Sequence, residues 1–273
     1  MVIGMQWIIF IGVAIVSWLV QMNLQRKFKK YSKVGLSNGM TGRDIALKML
    51  HDNGIYDVTV THTPGHLTDH YNPANKTVNL SEGVYNSTSV MAAAVAAHEC
   101  GHAVQHAQAY APLTLRSRLV PVVTFASQWM TWLLLAGILL LNVFPHLLLA
   151  GIILFATTTL FSFVTLPVEI NASKRALVWL NRSGITNSYN HSAAEDALRS
   201  AAYTYVVAAL GSLATLVYYV MIFLGRREKV GLRSRRLRRP VLSCGREKAR
   251  ILRHLCAGRS APPFFRGDSL LGG

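Results

Sequence analysis

Acidic residues and cysteines are scarce in this sequence. Asp and Glu together number 12 among 273 residues, and there are 3 Cys. Three cysteines supply no disulfide framework, and nothing here indicates an oxidising compartment. Charged residues make up 15% of the chain, hydrophobic residues make up 51%, and the mean hydropathy is +0.30. This composition excludes an ordinary soluble domain and predicts several membrane spans around one modest polar domain.

Four apolar runs are long enough to cross a bilayer as helices. They predict a transmembrane helix at 2–22, a transmembrane helical hairpin at 119–166 and a fourth transmembrane helix at 201–224. None of the runs contains Asp, Glu, Lys or Arg, which argues against a transporter, because transporters place ionisable groups within their spans.

Basic residues flank these runs at 25–33, 116–118 and 174–175. Basic flanks mark the cytoplasmic side of a membrane. The segment 225–229 is also basic, although four spans would put it outside, and a re-entrant final helix would resolve that conflict.

The segment 90–108 is rich in Ala, lacks Pro and predicts one helix. It contains His98-Glu99-Cys100-Gly101-His102, an HExxH motif. Residues four apart share a helix face, so His98 and His102 can reach one metal ion, and Glu99 can act there as a general base. The alternative is a helix that carries two surface histidines. His106 continues the same face, and we interpret it as a surface or supporting residue.

The polar segment 34–115 is predicted to form a cytoplasmic peptidase segment. It begins with a short helix at 37–53 that Thr41 caps. Strands are predicted at 55–61 and 76–81, on either side of a turn-rich loop at 63–75. Histidines 62, 66 and 70 either line a cleft or belong to ordinary polar loop sequence.

A zinc site of the HExxH kind requires a third protein ligand. Glu169 lies at the edge of the predicted hairpin, where an acidic residue is costly unless it is paired or coordinated. Alternatively, it is a first-turn Glu after Pro167, where the helix dipole favours it. The segment 167–200 is therefore predicted to hold the third ligand and a further helix.

The last part of the chain differs in composition. Residues 226–273 carry 14 of the 28 Lys and Arg residues. We interpret 230–273 as a basic tail that is either disordered or non-native. It lacks interleaved aromatic residues, so we do not expect it to bind nucleic acid.

Three separated blocks resemble the YugP-type neutral zinc metallopeptidases, which are bacterial membrane proteins. The blocks are GHLTDHYNPANKTVNLSEGVYNSTSVMAAAVAAHECGHAVQHAQAYAPLTLRS, FVTLPVEINASKRAL and SAAYTYVVAA. The resemblance covers about residues 2–229 and implies a zinc ion held by His98 and His102, with Glu99 as base. Glu169 and Ala172 also resemble the third-ligand segment of HtpX-like and related membrane proteases. In those proteases an Asp commonly follows the Ala, whereas Ser173 stands here, so we expect another group to orient the histidines.

These observations predict a mainly α, multi-pass membrane protein with a zincin-like HExxH helix and a small strand element on the cytoplasmic side. We expect a zinc endopeptidase of the bacterial cell membrane that acts on protein or peptide substrates. Candidates for stabilising the oxyanion are Tyr203, Tyr205 and His191. The alternative is a proteolytically silent, zinc-binding membrane adaptor with a peptidase fold.

Overall fold

The structure is a computed structural model that describes residues 2–257, and within them the side chains of 7–188 and 190–225. The chain divides after Val220 into two units, and the packing and the site described below lie in the first. The elements in chain order are α1 (Val2–Tyr31), α2 (Gly42–Asp52), β1 (Thr59–Thr63), β2 (His70–Asn72), β3 (Thr77–Ser81), α3 (Glu82–Tyr85), α4 (Val90–Ala107), α5 (Ala111–Leu139), α6 (Pro145–Arg182) and α7 (Ser188–Ala257).

Four helices of the described chain are long and apolar enough to cross a membrane. These candidate spans are Trp7–Tyr31, Ala111–Leu139, Pro145–Arg182 and Asn190–Gly225. The predicted fold class, a mainly helical multi-pass protein with a small sheet, is therefore confirmed.

The helices differ from the predicted segments mainly in length. The first helix continues beyond 22 to Tyr31, because Lys and Arg are good helix formers. The segment predicted from 167 continues the second helix of the hairpin without a break, since α6 runs through Pro167 to Arg182. Membrane helices tolerate an interior proline when neighbouring groups satisfy the freed carbonyl.

Helix α7 joins two segments that the sequence separated. The chain breaks after α6 at Ser183, where Gly184 adopts a φ of 68°, and α7 begins at Ser188. The predicted fourth span at 201–224 therefore lies inside a longer helix. In the second unit, residues 221–257 are also helical, where the sequence predicted a disordered or non-native tail from 230. The rest of that predicted tail, 258–273, lies outside the described residues.

The sheet has three strands in the order β1–β3–β2. β1 pairs with β3 in parallel, and β2 pairs with β3 antiparallel. β2 falls within the segment predicted as a loop, so that prediction is wrong in part. Its sequence, His-Tyr-Asn, is too short and too polar to show strand periodicity, and it forms because β3 offers it an edge.

Helix α4 lies at the centre of the buried core that it shares with α2, the sheet and α6. Its small side chains let neighbours approach from several sides, and its buried residues include Ala93, Ala97 and Cys100. The same core takes in Ile45 from α2, Leu80 from β3 and Leu180 from α6, among others. The helix begins where the Ser89 hydroxyl accepts a hydrogen bond from the amide of Ala92.

Helices α5 and α6 form the predicted hairpin, joined by a turn at 140–144. Gly137 of α5 faces the backbone of Leu148 so closely that an added Cβ would lie 2.5 Å from its Cα. The two helices therefore pack with their backbones in near contact. The hairpin returns the end of α6 to the level at which α5 begins.

Helix α6 then passes directly against α4 at Gly101. A Cβ built on Gly101 would lie 2.7 Å from the carbonyl oxygen of Ala172. Any side chain at position 101 therefore pushes the two helices apart.

We predict that Gly101→Ala destabilises the protein. Alanine gains about 1 kcal/mol of helix propensity over glycine, but overpacking at a backbone contact costs about 1–3 kcal/mol or more. Gly83→Ala in α3 is the matched control, because a Cβ there meets nothing within 4 Å. Thermal unfolding in detergent, followed by circular dichroism, should show a lower midpoint for Gly101→Ala and no loss for Gly83→Ala. Equal midpoints for Gly101→Ala and the unmodified protein would contradict the tight contact.

Candidate metal centre

The structure brings together three side chains that the sequence singled out. His98 and His102 extend from one face of α4, and Glu169 extends from α6. Oε2 of Glu169 lies 3.3 Å from Nε2 of His98 and 3.6 Å from Nε2 of His102. One donor atom from each of the three side chains lies within 4.8 Å of the other two. Two imidazole nitrogens and a carboxylate oxygen thus converge on one point.

The Glu169 carboxylate is buried, with 3% of the residue exposed. A buried carboxylate is costly unless charges and hydrogen bonds compensate it. The two imidazoles lie against one of its oxygens. On the other oxygen, Nη1 of Arg116 from α5 lies 3.6 Å away.

Gln105 fixes the orientation of the His102 ring. Oε1 of Gln105 lies 3.1 Å from Nδ1 of His102. The Gln105 amide nitrogen donates to the carbonyl of Val168 at 2.9 Å and to Oδ1 of Asn171 at 3.0 Å, which leaves its oxygen to accept. Nδ1 of His102 therefore carries the proton, and Nε2 is free to bind a metal.

Ser173 does the same for the other ring, with its Oγ 3.0 Å from Nδ1 of His98. We expected a group other than an aspartate to orient the histidines, and this contact makes the Ser173 hydroxyl the candidate for His98. A serine hydroxyl can accept the same N–H bond as an aspartate. Sequence reasoning missed Gln105 altogether, although its place one turn beyond His102 on the same helix was a usable signal.

Burial and the neighbouring carboxylates shift the pKa of the His102 imidazole in opposite directions. Burial alone lowers the pKa of its imidazole, but the hydrogen bond to Glu169 and the charges of Glu99 and Glu169 outweigh burial and raise that pKa. Protons therefore compete with a metal for Nε2 of His102 up to a higher pH than they would at a free imidazole. The affinity of the site for a metal ion falls as the pH is lowered.

Glu99 lies beside the three donors but points to a different partner. Its Oε2 accepts a hydrogen bond of 3.0 Å from the backbone amide of Tyr71 in β2. The residue is buried, and it lines two cavities that meet at the donors. The bond holds the carboxylate at the junction of those cavities.

The other predicted residues divide between the site and the scaffold. His106 contacts the Tyr71 hydroxyl at 3.0 Å and is not one of the converging donors. Of the histidines at 62, 66 and 70, His70 lines a cavity at the site, while the His66 ring contacts Phe28 in a tilted arrangement and the His62 ring contacts Tyr85 edge to face.

Two of the three predicted oxyanion candidates lie away from the donors. His191 pairs with Thr186 and lines a separate cleft, and Tyr203 is half exposed and lines neither site cavity. Tyr205 lines both site cavities together with Glu169.

Cys100 takes no part in the site despite its place in the motif. It is fully buried, with its Sγ 3.5 Å from the carbonyl of Ala46, and burial raises the pKa of its thiol. It is therefore an inert packing residue.

The donor set suits zinc. Zinc favours imidazole nitrogen and carboxylate oxygen, and its catalytic sites use three protein ligands and keep a further position open. The two oriented imidazoles and the carboxylate match that requirement, and the cavities leave one side open.

Comparisons with known proteins agree with the geometry. A family described as "Putative neutral zinc metallopeptidase" matches residues 6–224. The chain is also 45% identical over 213 residues to "Putative membrane protease YugP" of Bacillus subtilis (strain 168), which covers 78% of this chain and 94% of that protein. No solved structure matches the chain.

We predict that Gln105→Leu weakens zinc binding about 10–100-fold, the usual effect of losing a group that orients a metal-binding histidine. Gln108→Leu is the matched control, because Gln108 is exposed and its side chain accepts a hydrogen bond from Arg175, away from the two histidines. Competition with a zinc chelator at fixed pH measures both affinities. Equal affinities in the two variants would show that Gln105 does not act through His102.

Proposed function

The chain belongs to the neutral zinc metallopeptidase family, and on that premise we propose that it is a membrane-embedded endopeptidase in which Glu99 is the general base. The proposal rests on one observation. His98, His102 and Glu169 converge beside the carboxylate of Glu99, which is not one of the three donors.

In this proposal His98, His102 and Glu169 hold the zinc ion. Bound zinc polarises the scissile carbonyl and makes a water molecule acidic enough to attack it near neutral pH. The contacts of Ser173 with Nδ1 of His98 and of Gln105 with Nδ1 of His102 orient the two rings so that their Nε2 atoms face the site.

Glu99 moves the protons. Its carboxylate accepts a proton from the attacking water and delivers it to the nitrogen of the leaving amine. The amide of Tyr71 holds one carboxylate oxygen, which leaves the other free to contact the water. Because β2 carries this amide, the edge of β2 that does not pair with β3 faces the site. An extended peptide can lie along that edge as an added strand.

Tyr205 is the donor that we assign to the oxyanion. Its side chain lies beside Glu169, in the wall that both cavities share. A hydroxyl there can donate to the carbonyl oxygen as negative charge develops on it. Tyr203 and His191 lack this position.

We predict that Glu99→Gln retains zinc and loses hydrolysis. An amide cannot accept the proton, so kcat should fall about 10²–10⁴-fold, the usual contribution of a general base. Zinc content measured by mass spectrometry and hydrolysis of casein are followed together. Glu82→Gln, a substitution at an exposed Glu of α3, is the control and should retain both.

Full hydrolysis by Glu99→Gln would remove Glu99 from the mechanism. An unmodified protein that holds zinc but cleaves nothing would favour the proteolytically silent adaptor.

We also infer that the active site faces the cytoplasm. His98 and Glu169 are 71 positions apart, and the hairpin between them returns the chain to one side. The basic flanks at 25–33, 116–118 and 174–175 support the cytoplasmic side.

This orientation predicts a labelling pattern in intact cells. With the three native cysteines replaced by alanine, single substitutions Asn75→Cys and Asn181→Cys should resist a membrane-impermeant thiol reagent. Val143→Cys, at the hairpin turn and 65% exposed, should react. Reaction at positions 75 and 181 with protection at 143 would invert the topology. Opposite results at 75 and 181 would exclude Glu169 as a ligand.

A further inference from the structure

Two cavities of different chemistry meet at the metal centre. One has a volume of about 290 Å³ and the other about 250 Å³. The residues that line both are Asp69, His98, Glu99, Glu169 and Tyr205. Pockets that enclose a whole drug-sized ligand measure about 300–1,000 Å³. Each cavity is therefore sized for one or two side chains, and a chain in either one touches the proposed reacting groups.

We call the larger cavity the polar chamber. Apart from the shared wall, its polar lining consists of His70, Tyr71, His102, His106, Arg116 and Ser117. Tyr71 and His106 hydrogen-bond to each other. These groups favour a polar substrate residue on that side.

The smaller cavity, the apolar chamber, has a different lining. Its wall consists mainly of Leu24, Leu67, Met91, Val95, Leu198 and Ala201. These residues come from α1, the loop before β2, α4 and α7. Beyond the shared wall its polar groups are Gln21, Ser173 and Thr204, all of them uncharged. A charged side chain placed away from the shared wall would therefore lose hydration without gaining an ionic partner.

Contacts between α1 and α7 frame the apolar chamber. Within the basic segment 25–33 of α1, Nζ of Lys27 pairs with Asp196 of α7 at 2.6 Å. Further along the two helices, Gly211 faces Val13. The chamber is lined by Leu24 of α1 and Ala201 of α7, which lie between these contacts along the two helices. Both helices are candidate membrane spans, and Leu24 lies close to the basic residues 25–33 of α1.

We propose that the apolar chamber is the specificity pocket of this protease. It accepts a large apolar side chain of a polypeptide, next to the bond that is cut. The inference rests on the proposed function, because the shared wall is also the proposed catalytic wall. That continuity argues for a substrate residue over a lipid chain, since whatever enters the chamber reaches Glu99 and Tyr205.

The first test uses the full-length, zinc-loaded protein and a set of peptides with Phe placed at each position in turn of an otherwise small and polar sequence. Mass spectrometry of the products should place the cut beside Phe. The value of kcat/KM should exceed that of the Ala peptide by about tenfold or more, the usual discrimination of an apolar pocket.

Two variants change the chamber in opposite directions. Ala201→Leu fills it, and should lower the ratio of kcat/KM for the Phe peptide to kcat/KM for the Ala peptide from about tenfold to about one. Leu24→Ala enlarges it, and should shift the preference from Phe towards Trp. Ala208→Leu is the control, because it adds the same atoms to an exposed position of α7 that lines neither chamber.

Indifference to Phe, or an equal loss on both peptides in Ala201→Leu but not in Ala208→Leu, would overturn the assignment. A lipid occupant predicts that indifference. If the unmodified protein cleaves no peptide, the proposed function fails, and the chamber is then tested by binding. Fluorescence anisotropy should still show the Phe peptide bound about tenfold more tightly than the Ala peptide, and equal binding would overturn the chamber.

Discussion

The buried carboxylate of Glu169 is the constraint on which the rest of the site depends. A carboxylate with 3% exposure needs hydrogen-bonding or positive partners, and two helices supply them. The two motif histidines come from α4, and Arg116 comes from α5. A metal ion would satisfy the same oxygen more completely than two neutral rings. The packing of α6 against α4 therefore places the Glu169 carboxylate beside the two motif histidines.

Close approach of the helices makes this placement of Glu169 possible. Gly101 lets α6 touch the backbone of α4, and Gly137 lets α5 and α6 pack as a tight hairpin. Gln105 then ties the two sides together, because one amide group contacts His102 and the backbone of α6. The small residues bring the helices into contact, and the polar ones fix the register at which they meet.

The sequence predicts the parts of this arrangement that are local. The spacing of His98 and His102 depends only on helix periodicity, and the capped helix at Thr41 forms with its capping box. Glu169 could be singled out only because its position at the end of an apolar run, and a family resemblance, pointed to it. Strand β2 and the bond between Ser173 and His98 depend on chain segments far apart. No local period encodes such pairs, and the apolar chamber arises only when α1, α4 and α7 come together.

The most direct test of the central claim is the zinc coordination itself, measured by X-ray absorption at the zinc edge on the purified, zinc-loaded protein. The account predicts two imidazole nitrogens and a carboxylate oxygen at about 2.0–2.2 Å. It also predicts that Glu169→Gln changes the oxygen contribution while both imidazoles remain. A spectrum unchanged by Glu169→Gln, or one with a sulfur ligand, would contradict the account, because zinc would then be held by other groups.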